Sequence, residues 1–256
     1  MVRKILNKLE RLFNKYIRSK IDSRFKLNYK GKGIINFIDI GSVGGLPEPW
    51  NSNAHKVKFL LNFEPNDEPR KSENFMTYNT AVWETEEVRS FYIYRGYKGT
   101  GSSLFEQNFD FVEENFNQLK NRGPKHLANT WFKRSELVKT IQLKCRSLDS
   151  IISDNFKSKK FHFIKIDAQG AELNILKGAN DTLNHCVGLH LELFNLPLYK
   201  GIALIDEVEQ YLKGYGFSLI KKFPAHGTFN SQNDCLFLKI DANQDMVNEI
   251  KKIYNI

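Results

Sequence analysis

Two acidic residues that follow neighbouring apolar runs have the types and spacing to bind a nucleoside. Asp39 lies near the end of the run Ile34–Ile40, and a G-x-x-G-G turn begins just after it at Gly41. Glu64 directly follows the run Val57–Phe63. A strand followed by a glycine turn lets the backbone approach a nucleotide, and an acidic residue after the next strand can accept hydrogen bonds from ribose hydroxyls. Each feature alone is also typical of a solvated strand end, but together they favour an adenosine site.

The spacing of the glycine turn indicates which ligand these residues would bind. Dinucleotide sites carry G-x-G-x-x-G, which is not the spacing of this turn, and Pro47 and Pro49 prevent a long helix from starting directly at the turn. The carboxylate of Asp39 would be a poor neighbour for a diphosphate. It suits a ligand that carries a cation, such as the ammonium and sulfonium groups of S-adenosylmethionine.

The elements that must position these residues alternate along the chain. Six apolar runs predict strands at Ile34–Ile40, Val57–Phe63, Phe161–Ile166, Val187–Phe194, Phe217–Phe223 and Cys235–Ile240. Helical patterns cover Phe109–Lys120, Glu172–Leu183 and Ala203–Tyr215. The alternation predicts an α/β fold with a mostly parallel sheet covered on both faces, whose ligands bind at the carboxyl ends of the strands. The stretch 83–143 does not follow this pattern, and we expect an insertion there with a hairpin at Val88–Tyr94.

The order of the motifs resembles that of FkbM-type methyltransferases over residues 34–240. The motifs are Phe37–Gly41, Phe63–Pro65, Asn79–Val82, Gly99–Leu104, Leu148–Ile152, Phe163–Glu172 and Leu191–Tyr199. The resemblance implies an S-adenosylmethionine-dependent O-methyltransferase with a Rossmann-like class I methyltransferase fold, whose seven-stranded, mostly parallel sheet ends in an antiparallel strand. It also implies an acceptor hydroxyl on a sugar, glycan or related natural product.

The same resemblance implies the residues that bind the cofactor. The methionine and sulfonium side would be lined by Asp39, Gly41 and Ser42, and the ribose would be held by Glu64. Ala81 and Val82 would lie against the adenine, or else are ordinary core residues. Asn66 would reach the adenosine or form an Asx turn, and Asp167 ends the strand nearest the cofactor.

Methyl transfer to a hydroxyl calls for a base within hydrogen-bond reach of the acceptor. Asp167 is the first candidate. Lys165 shares its strand face, so a contact between the two is expected. On the next strand His190 is either a core histidine or a catalytic group, and Glu192 is a candidate base or substrate ligand. Asp167 and Glu192 could clamp a divalent metal, but the usual ligand spacing is missing and we expect no metal site.

Substrate contacts are predicted around the same strand ends. Ser102 and Ser103 lie in a glycine loop that could cover the substrate, and Tyr199 could stack on a sugar ring or belong to the core. Asn195 follows the strand of Glu192, and Glu172 is either a substrate ligand or a structural carboxylate at a helix start. The segment 105–139 would shape the acceptor pocket.

Composition limits the other classes of protein. The 256 residues are 41% hydrophobic with 7 Pro and 16 Gly, which excludes a collagen-like or wholly disordered chain. No apolar run approaches the roughly 20 residues of a membrane-spanning helix. The three cysteines lack CxxC spacing, which fits a reducing, cytoplasmic compartment.

Much of the net charge of +9 comes from the first residues of the chain. Residues 1–30 read as a basic amphipathic helix and connection, followed by a methyltransferase domain at 31–256. The helix would either pack on the domain or rest on an anionic membrane surface where lipid-linked glycans are built. A nucleic-acid methyltransferase is not favoured, because the basic residues concentrate in this segment and no base-flipping motif is found. A non-catalytic, membrane-associated scaffold is the remaining alternative.

Overall fold

The apolar runs assemble into a main sheet of eight strands in the computed structural model, which describes residues 33–41, 45–65, 69–157 and 159–256. The strands are β1 (Ile35–Ile40), β2 (Val57–Phe63), β3 (Arg70–Ser72), β4 (Phe75–Tyr78), β5 (Ala81–Trp83), β6 (Glu87–Tyr94), β7 (Leu137–Ser147), β8 (Phe163–Ile166), β9 (Gly188–Phe194), β10 (Phe217–Lys222) and β11 (Gln232–Lys239). The α-helices are α1 (Phe109–Leu119), α2 (Lys125–Arg134), α3 (Leu148–Asn155), α4 (Glu172–Lys177), α5 (Asn180–His185), α6 (Ile205–Lys213) and α7 (Gln244–Ile253). The predicted N-terminal helix and the site candidates Ser42 and Asn66 lie outside the described residues.

The strands of the main sheet have mixed orientation, in the order β10-β11-β9-β8-β1-β2-β4-β3. Neighbours from β9 to β4 are parallel, whereas β11 is antiparallel to both β10 and β9, and β3 is antiparallel to β4. The expectation of seven mostly parallel strands is therefore wrong. The edge strand β3 consists of Arg70, Lys71 and Ser72, which carry no apolar signal, and it forms because the chain folds back on β4 as a hairpin.

Each face of the main sheet is buried under helices. On one face Ile38 of β1 belongs to a core that includes Val208 of α6. On the other face Phe37 packs in a core with Ile250 of α7. All four side chains are fully buried, and each such burial stabilises the fold by about 1.5–3 kcal/mol. The prediction of an α/β sheet covered on both faces is confirmed.

The strand order reverses between β1 and β8. From β1 the chain proceeds through β2 to β4 on one side, while β8 and β9 lie on the other side of β1. In open α/β sheets, ligands bind outside the carboxyl ends of the strands at such a reversal. Asp39 and Gly41 stand at the end of β1, and Asp167 follows β8 directly. These predicted site residues therefore meet where the topology favours a ligand.

The stretch after β5 forms a second sheet, in which β7 pairs in parallel with β5 and antiparallel with β6. The predicted hairpin at Val88–Tyr94 is wrong, because that span lies within the single strand β6 and its partner β7 comes only after α1 and α2. The predicted helix at Phe109–Lys120 is confirmed as α1. Its first turn is capped by Asn108, whose side chain accepts a hydrogen bond from the backbone N–H of Phe111.

The predicted helix at Glu172–Leu183 is two helices, α4 and α5, with Gly178 directly after the first. A Cβ on Gly178 would lie 2.3 Å from the carbonyl oxygen of Trp83, so only glycine allows the chain to pass this close to β5. The pattern at Ala203–Tyr215 is confirmed as α6. Within the described ranges, no helix is both long enough and apolar enough to span a bilayer.

Candidate functional site

A row of polar side chains crosses the main sheet on one face. Strand register aligns Thr77, Asn62, Asp39, Lys165 and His190 on five neighbouring strands. All but Lys165 are buried, with at most 7% of the residue exposed, although buried sheet positions are usually apolar. Burying polar groups is unfavourable unless they find partners. At this level of the sheet, polar side chains therefore occupy buried positions where apolar residues are usual.

Lys165 is the positive centre of this row. Its Nζ lies 3.4 Å from Asp167 Oδ2 and 3.9 Å from Asp39 Oδ1, and its side chain is 13% exposed. Burial opposes the charged form, but the carboxylates of Asp39, Asp167 and Glu192 together raise the pKa of Lys165 above its usual value. The predicted contact of Lys165 with Asp167 is present, and the ammonium stays charged between the ends of β1 and β8.

Gly41 brings the turn after β1 against the turn after β8. Its φ is +83°, and a Cβ there would lie 1.8 Å from the carbonyl oxygen of Asp167. The Gly41 N–H donates to the Phe63 carbonyl, and the Asp167 N–H donates to the Ile40 carbonyl, both at 3.0 Å. The three strand ends are thus held together by backbone contacts that a side chain at position 41 would displace.

A small apolar pocket of about 100 Å³ opens beside these turns. Gly41, Ala81, Val82, Ser102 and Asp167 line it, together with Ile40, Phe63, Pro65, Thr80, Phe91, Leu104, Ala168, Ala171 and Ile175. Five predicted site residues therefore share one pocket. Glu64 lies between two of its lining residues and donates its backbone N–H to the Tyr78 carbonyl at 3.0 Å.

A larger cavity of about 360 Å³ adjoins the other side of Asp167. Its sheet-side wall includes Asp167, Gln169 and Glu192, and Tyr199 lines it as well. The insertion, the segment before β11 and the first residue of β11 supply most of the rest: Thr100, Gly101, Gln107, Leu127, Trp131, Arg134, Ser135, Gly227, Thr228, Ser231 and Gln232. We call this space the acceptor cavity. Asp167 lines both it and the apolar pocket.

Gln169 links the polar groups of the acceptor cavity. Its Nε2 donates to Asp167 Oδ1 at 3.1 Å and to Glu192 Oε2 at 2.9 Å, and its Oε1 lies 3.2 Å from the Tyr199 hydroxyl. Burial and the nearby carboxylates, Asp167 foremost, raise the pKa of Glu192 well above its usual value. Sequence reasoning missed Gln169, although it occupies a fixed place in the motif Phe163–Glu172.

Glu172 closes the turn after β8 from within. Its Oε1 accepts hydrogen bonds from the backbone N–H groups of Ala168 at 2.9 Å and Gly170 at 3.2 Å, and its residue is 3% exposed. Burial raises its pKa to about 7. Among the described residues, Glu172 is not one of those that line the apolar pocket or the acceptor cavity. This placement matches the alternative of a structural carboxylate.

His190 lies within the core of the second face. Its Nδ1 is 2.8 Å from the Tyr254 hydroxyl, its Nε2 is 2.9 Å from Asp234 Oδ1, and its ring stacks on Phe223. With both nitrogens engaged and the residue 7% exposed, His190 corresponds to the alternative of a satisfied core histidine.

The remaining substrate candidates fall in different places. Ser103 donates through Oγ to the Gln169 carbonyl at 2.7 Å, and the Tyr199 hydroxyl donates to the Gly101 carbonyl at 2.8 Å. These contacts tie the glycine loop and Tyr199 to the turn after β8. Asn195 instead donates to Asn233 Oδ1 at 2.8 Å and does not line the acceptor cavity as described.

Arg134 and Trp131 in α2 also line the acceptor cavity and were missed from the sequence. Arg134 Nη2 donates to Leu127 O at 3.0 Å and to Thr228 Oγ1 at 2.8 Å, and Trp131 is buried against Phe109. The insertion has no recognisable motif, so only the folded chain shows that α2 faces the cavity.

Comparison with known proteins shows the family to which the chain belongs. The family model for the methyltransferase FkbM domain matches residues 41–219, more than half of the chain. Among solved structures, the crystal structure of methyltransferase FkbM from Methylobacillus flagellatus KT is similar, with 13% identity and a TM-score of 0.41. The match covers 80% of this chain but only 43% of that one. No curated protein matches. On the family match, the chain belongs to the FkbM methyltransferase family.

Proposed function

We propose that this chain is an S-adenosylmethionine-dependent O-methyltransferase whose acceptor is a hydroxyl of a sugar, glycan or related natural product. The observation that carries the proposal is the position of Asp167, which lines both the apolar pocket and the acceptor cavity. A transfer reaction needs its two reactants held in adjoining spaces with a proton acceptor between them.

The residues present fit the cofactor that the family implies. Ala81 and Val82 in the apolar pocket suit an adenine face, and Gly41 lines the same pocket where the turn after β1 meets the turn after β8. The carboxylates of Asp39 and Asp167 outnumber the single ammonium of Lys165 between them, which favours a cationic ligand. Glu64 would hold the ribose. When bound, S-adenosylmethionine supplies a methyl group whose C–S bond breaks, leaving the electron pair on sulfur, as the acceptor oxygen forms the new C–O bond.

Asp167 would take the proton from the acceptor hydroxyl. Its two oxygens are fixed from opposite partners, Oδ1 by Gln169 Nε2 at 3.1 Å and Oδ2 by Lys165 Nζ at 3.4 Å. A carboxylate held in this way keeps one orientation, which is the condition for proton transfer at a defined place. Trp131 and Tyr199 line the acceptor cavity but are only 3% and 2% exposed, so they support its wall as core residues, and the sugar acceptor rests on the family.

The cofactor part of the proposal is tested by calorimetry with S-adenosylmethionine. Wild type is expected to bind it, and Val82→Trp, which fills the apolar pocket, is expected to abolish binding. Val88→Trp makes the same change at a position 60% exposed and should bind like wild type. No binding to wild type, or equal binding to both variants, contradicts the site.

The reaction is tested with Asp167→Asn and a labelled methyl donor. The variant is expected to bind the cofactor more weakly, because one carboxylate of the site is neutral, and to lose methyl transfer to glycan extracts even at saturating cofactor. Mass spectrometry of cell-surface glycans from a deletion strain is expected to show the loss of one methyl group. An unchanged methylation pattern would count against the acceptor class, and a fully active Asp167→Asn would count against the base.

A further inference from the structure

Three metal-ligating side chains converge beside the acceptor cavity. Glu192 on β9 and Asp234 on β11 are direct cross-strand partners in the antiparallel register. His226 comes from the segment before β11, where its backbone exchanges hydrogen bonds with Gln232 at 2.9 and 3.3 Å. His226 Nε2 lies 3.3 Å from Asp234 Oδ2 and 3.8 Å from Glu192 Oε1, and the three ligand atoms fall within 4.8 Å of one another.

The oxygens that turn away from this cluster are held by other side chains. Glu192 Oε2 accepts from the amides of Gln169 at 2.9 Å and Gln232 at 2.5 Å. Asp234 Oδ1 is 2.9 Å from Nε2 of His190, and Nδ1 of the same ring contacts the Tyr254 hydroxyl. Each carboxylate thus has one oxygen fixed by an outer partner and the other directed inward. Such outer partners orient the ligands of metal sites in proteins.

The three inward groups are close to one another, but their contacts leave a charge repulsion and a missing hydrogen bond. Carboxylates placed directly opposite each other on neighbouring strands repel. His226 Nε2 is buried as an atom and makes no hydrogen bond within the described part of the chain, even though Asp234 Oδ2 is 3.3 Å away. A buried nitrogen without a hydrogen bond is costly, and a cation between the three atoms would satisfy it and offset the repulsion of the carboxylates.

We propose that Glu192 Oε1, His226 Nε2 and Asp234 Oδ2 bind a divalent cation of the Mn²⁺ type. One imidazole and two carboxylates form a hard-to-borderline ligand set, which suits Mn²⁺ better than the thiol-preferring metals. From the sequence no metal site is expected, because the candidate ligands Asp167 and Glu192 lack the usual ligand spacing. This cluster contains Glu192 but not Asp167, and its other ligands are His226 before β11 and Asp234 within β11. Glu192 also lines the acceptor cavity, so the cation stands where acceptor oxygens could complete its coordination.

The test is a titration of the full chain, stripped with a chelator, with Mn²⁺ alone. Electron paramagnetic resonance measures free Mn²⁺, and calorimetry measures the same binding independently. Wild type is expected to bind a single Mn²⁺ saturably. His226→Gln and Asp234→Asn are expected to weaken binding by about tenfold or more. His185→Gln, an exposed histidine at the end of α5, is the matched control and should bind like wild type.

Asp234→Asn changes the hydrogen-bond partner of the buried His190 and can therefore disturb folding. His226→Gln does not change a partner of His190, so it still tests the site in that case. Lack of saturable binding by wild type, or equal binding by His226→Gln, overturns the site and leaves His226 as an ion-pair partner of the two carboxylates. S-adenosylmethionine binding measured on the same samples keeps the two proposals apart. Mn²⁺ binding without cofactor binding supports the metal site and contradicts the proposed function.

Discussion

Gly41 packs against the carbonyl oxygen of Asp167 so closely that a Cβ would lie 1.8 Å from it. Gly41→Ala must therefore move the turn after β1 away from β8, besides straining a φ of +83°. We expect it to lower the free energy of unfolding by about 3 kcal/mol, measured by urea denaturation, and to abolish S-adenosylmethionine binding.

Gly201→Ala is the matched control for this substitution. Its φ is +75°, but a Cβ there meets no atom within 4 Å. It therefore isolates the backbone strain, which costs about 1 kcal/mol. Equal losses in the two variants would show that the contact with Asp167 has no energetic role.

Lys165 carries the buried positive charge between Asp39 and Asp167. Removing one partner from a buried ion pair leaves uncompensated charge, so Lys165→Met is expected to destabilise the fold by about 3 kcal/mol at pH 7. Lys213→Met, which breaks the exposed pair with Glu209, is expected to change stability by less than about 0.5 kcal/mol. Similar denaturation curves for the two variants would contradict the assigned role of Lys165.

Gln169 positions the carboxylates of Asp167 and Glu192. In Gln169→Ala both lose an amide donor, so the acceptor is held less well relative to Asp167. We expect kcat to fall by about tenfold to a hundredfold while KM for S-adenosylmethionine changes little. Gln142→Ala, at an exposed position on β7, serves as the control. A rise in KM for the cofactor without loss of kcat would indicate a structural role instead.

Glu172 makes stability depend on pH. Its pKa is raised to about 7 in the folded chain by burial, against a usual value of 4.5. A carboxyl with a higher pKa in the folded state contributes stability that is fully present below pH 4.5 and is lost as the pH rises to about 7. We expect a decrease of about 3 kcal/mol over this window.

In Glu172→Gln the amide oxygen can still accept from the N–H groups of Ala168 and Gly170, but the group no longer titrates. Denaturation at several pH values between 4.5 and 7 should therefore show a flatter profile for this variant. Glu113→Gln, at an exposed position on α1, should keep the wild-type slope. Parallel profiles for Glu172→Gln and wild type would contradict the assignment.

The sequence predicts those elements whose burial leaves an apolar signature. β1, β2, β8 and β9 are apolar runs because helices cover both faces of the sheet. β7 was not predicted, although Ile141, Leu143 and Cys145 alternate with polar residues as in a half-buried strand, because it contains no continuous apolar run like those of the main sheet. Its pairing with β6 also spans two helices, and such a non-local contact leaves no trace in local sequence.

Some residues of the candidate site could be predicted from the sequence, and others could not. Asp39 lies near the end of one predicted strand, Gly41 and Asp167 directly follow predicted strands, and the carboxyl ends of parallel neighbours necessarily meet. Gln169 could not be found in this way, because an amide acquires its role from the groups around it. The convergence of His226 with Glu192 depends on the register of β11 against β9, which the sequence does not specify.

The segment 96–135 leaves and rejoins the second sheet at one point. β6 and β7 are paired along their length, and the Arg95 N–H donates to the Glu136 carbonyl at 3.0 Å where they separate. The segment 96–135 is thus a closed module whose two ends already touch. Trp131 and Arg134 belong to it, whereas Asp167 belongs to the sheet. Substitutions within this module are therefore expected to reshape one wall of the cavity while leaving the strand ends that hold Asp167 in place.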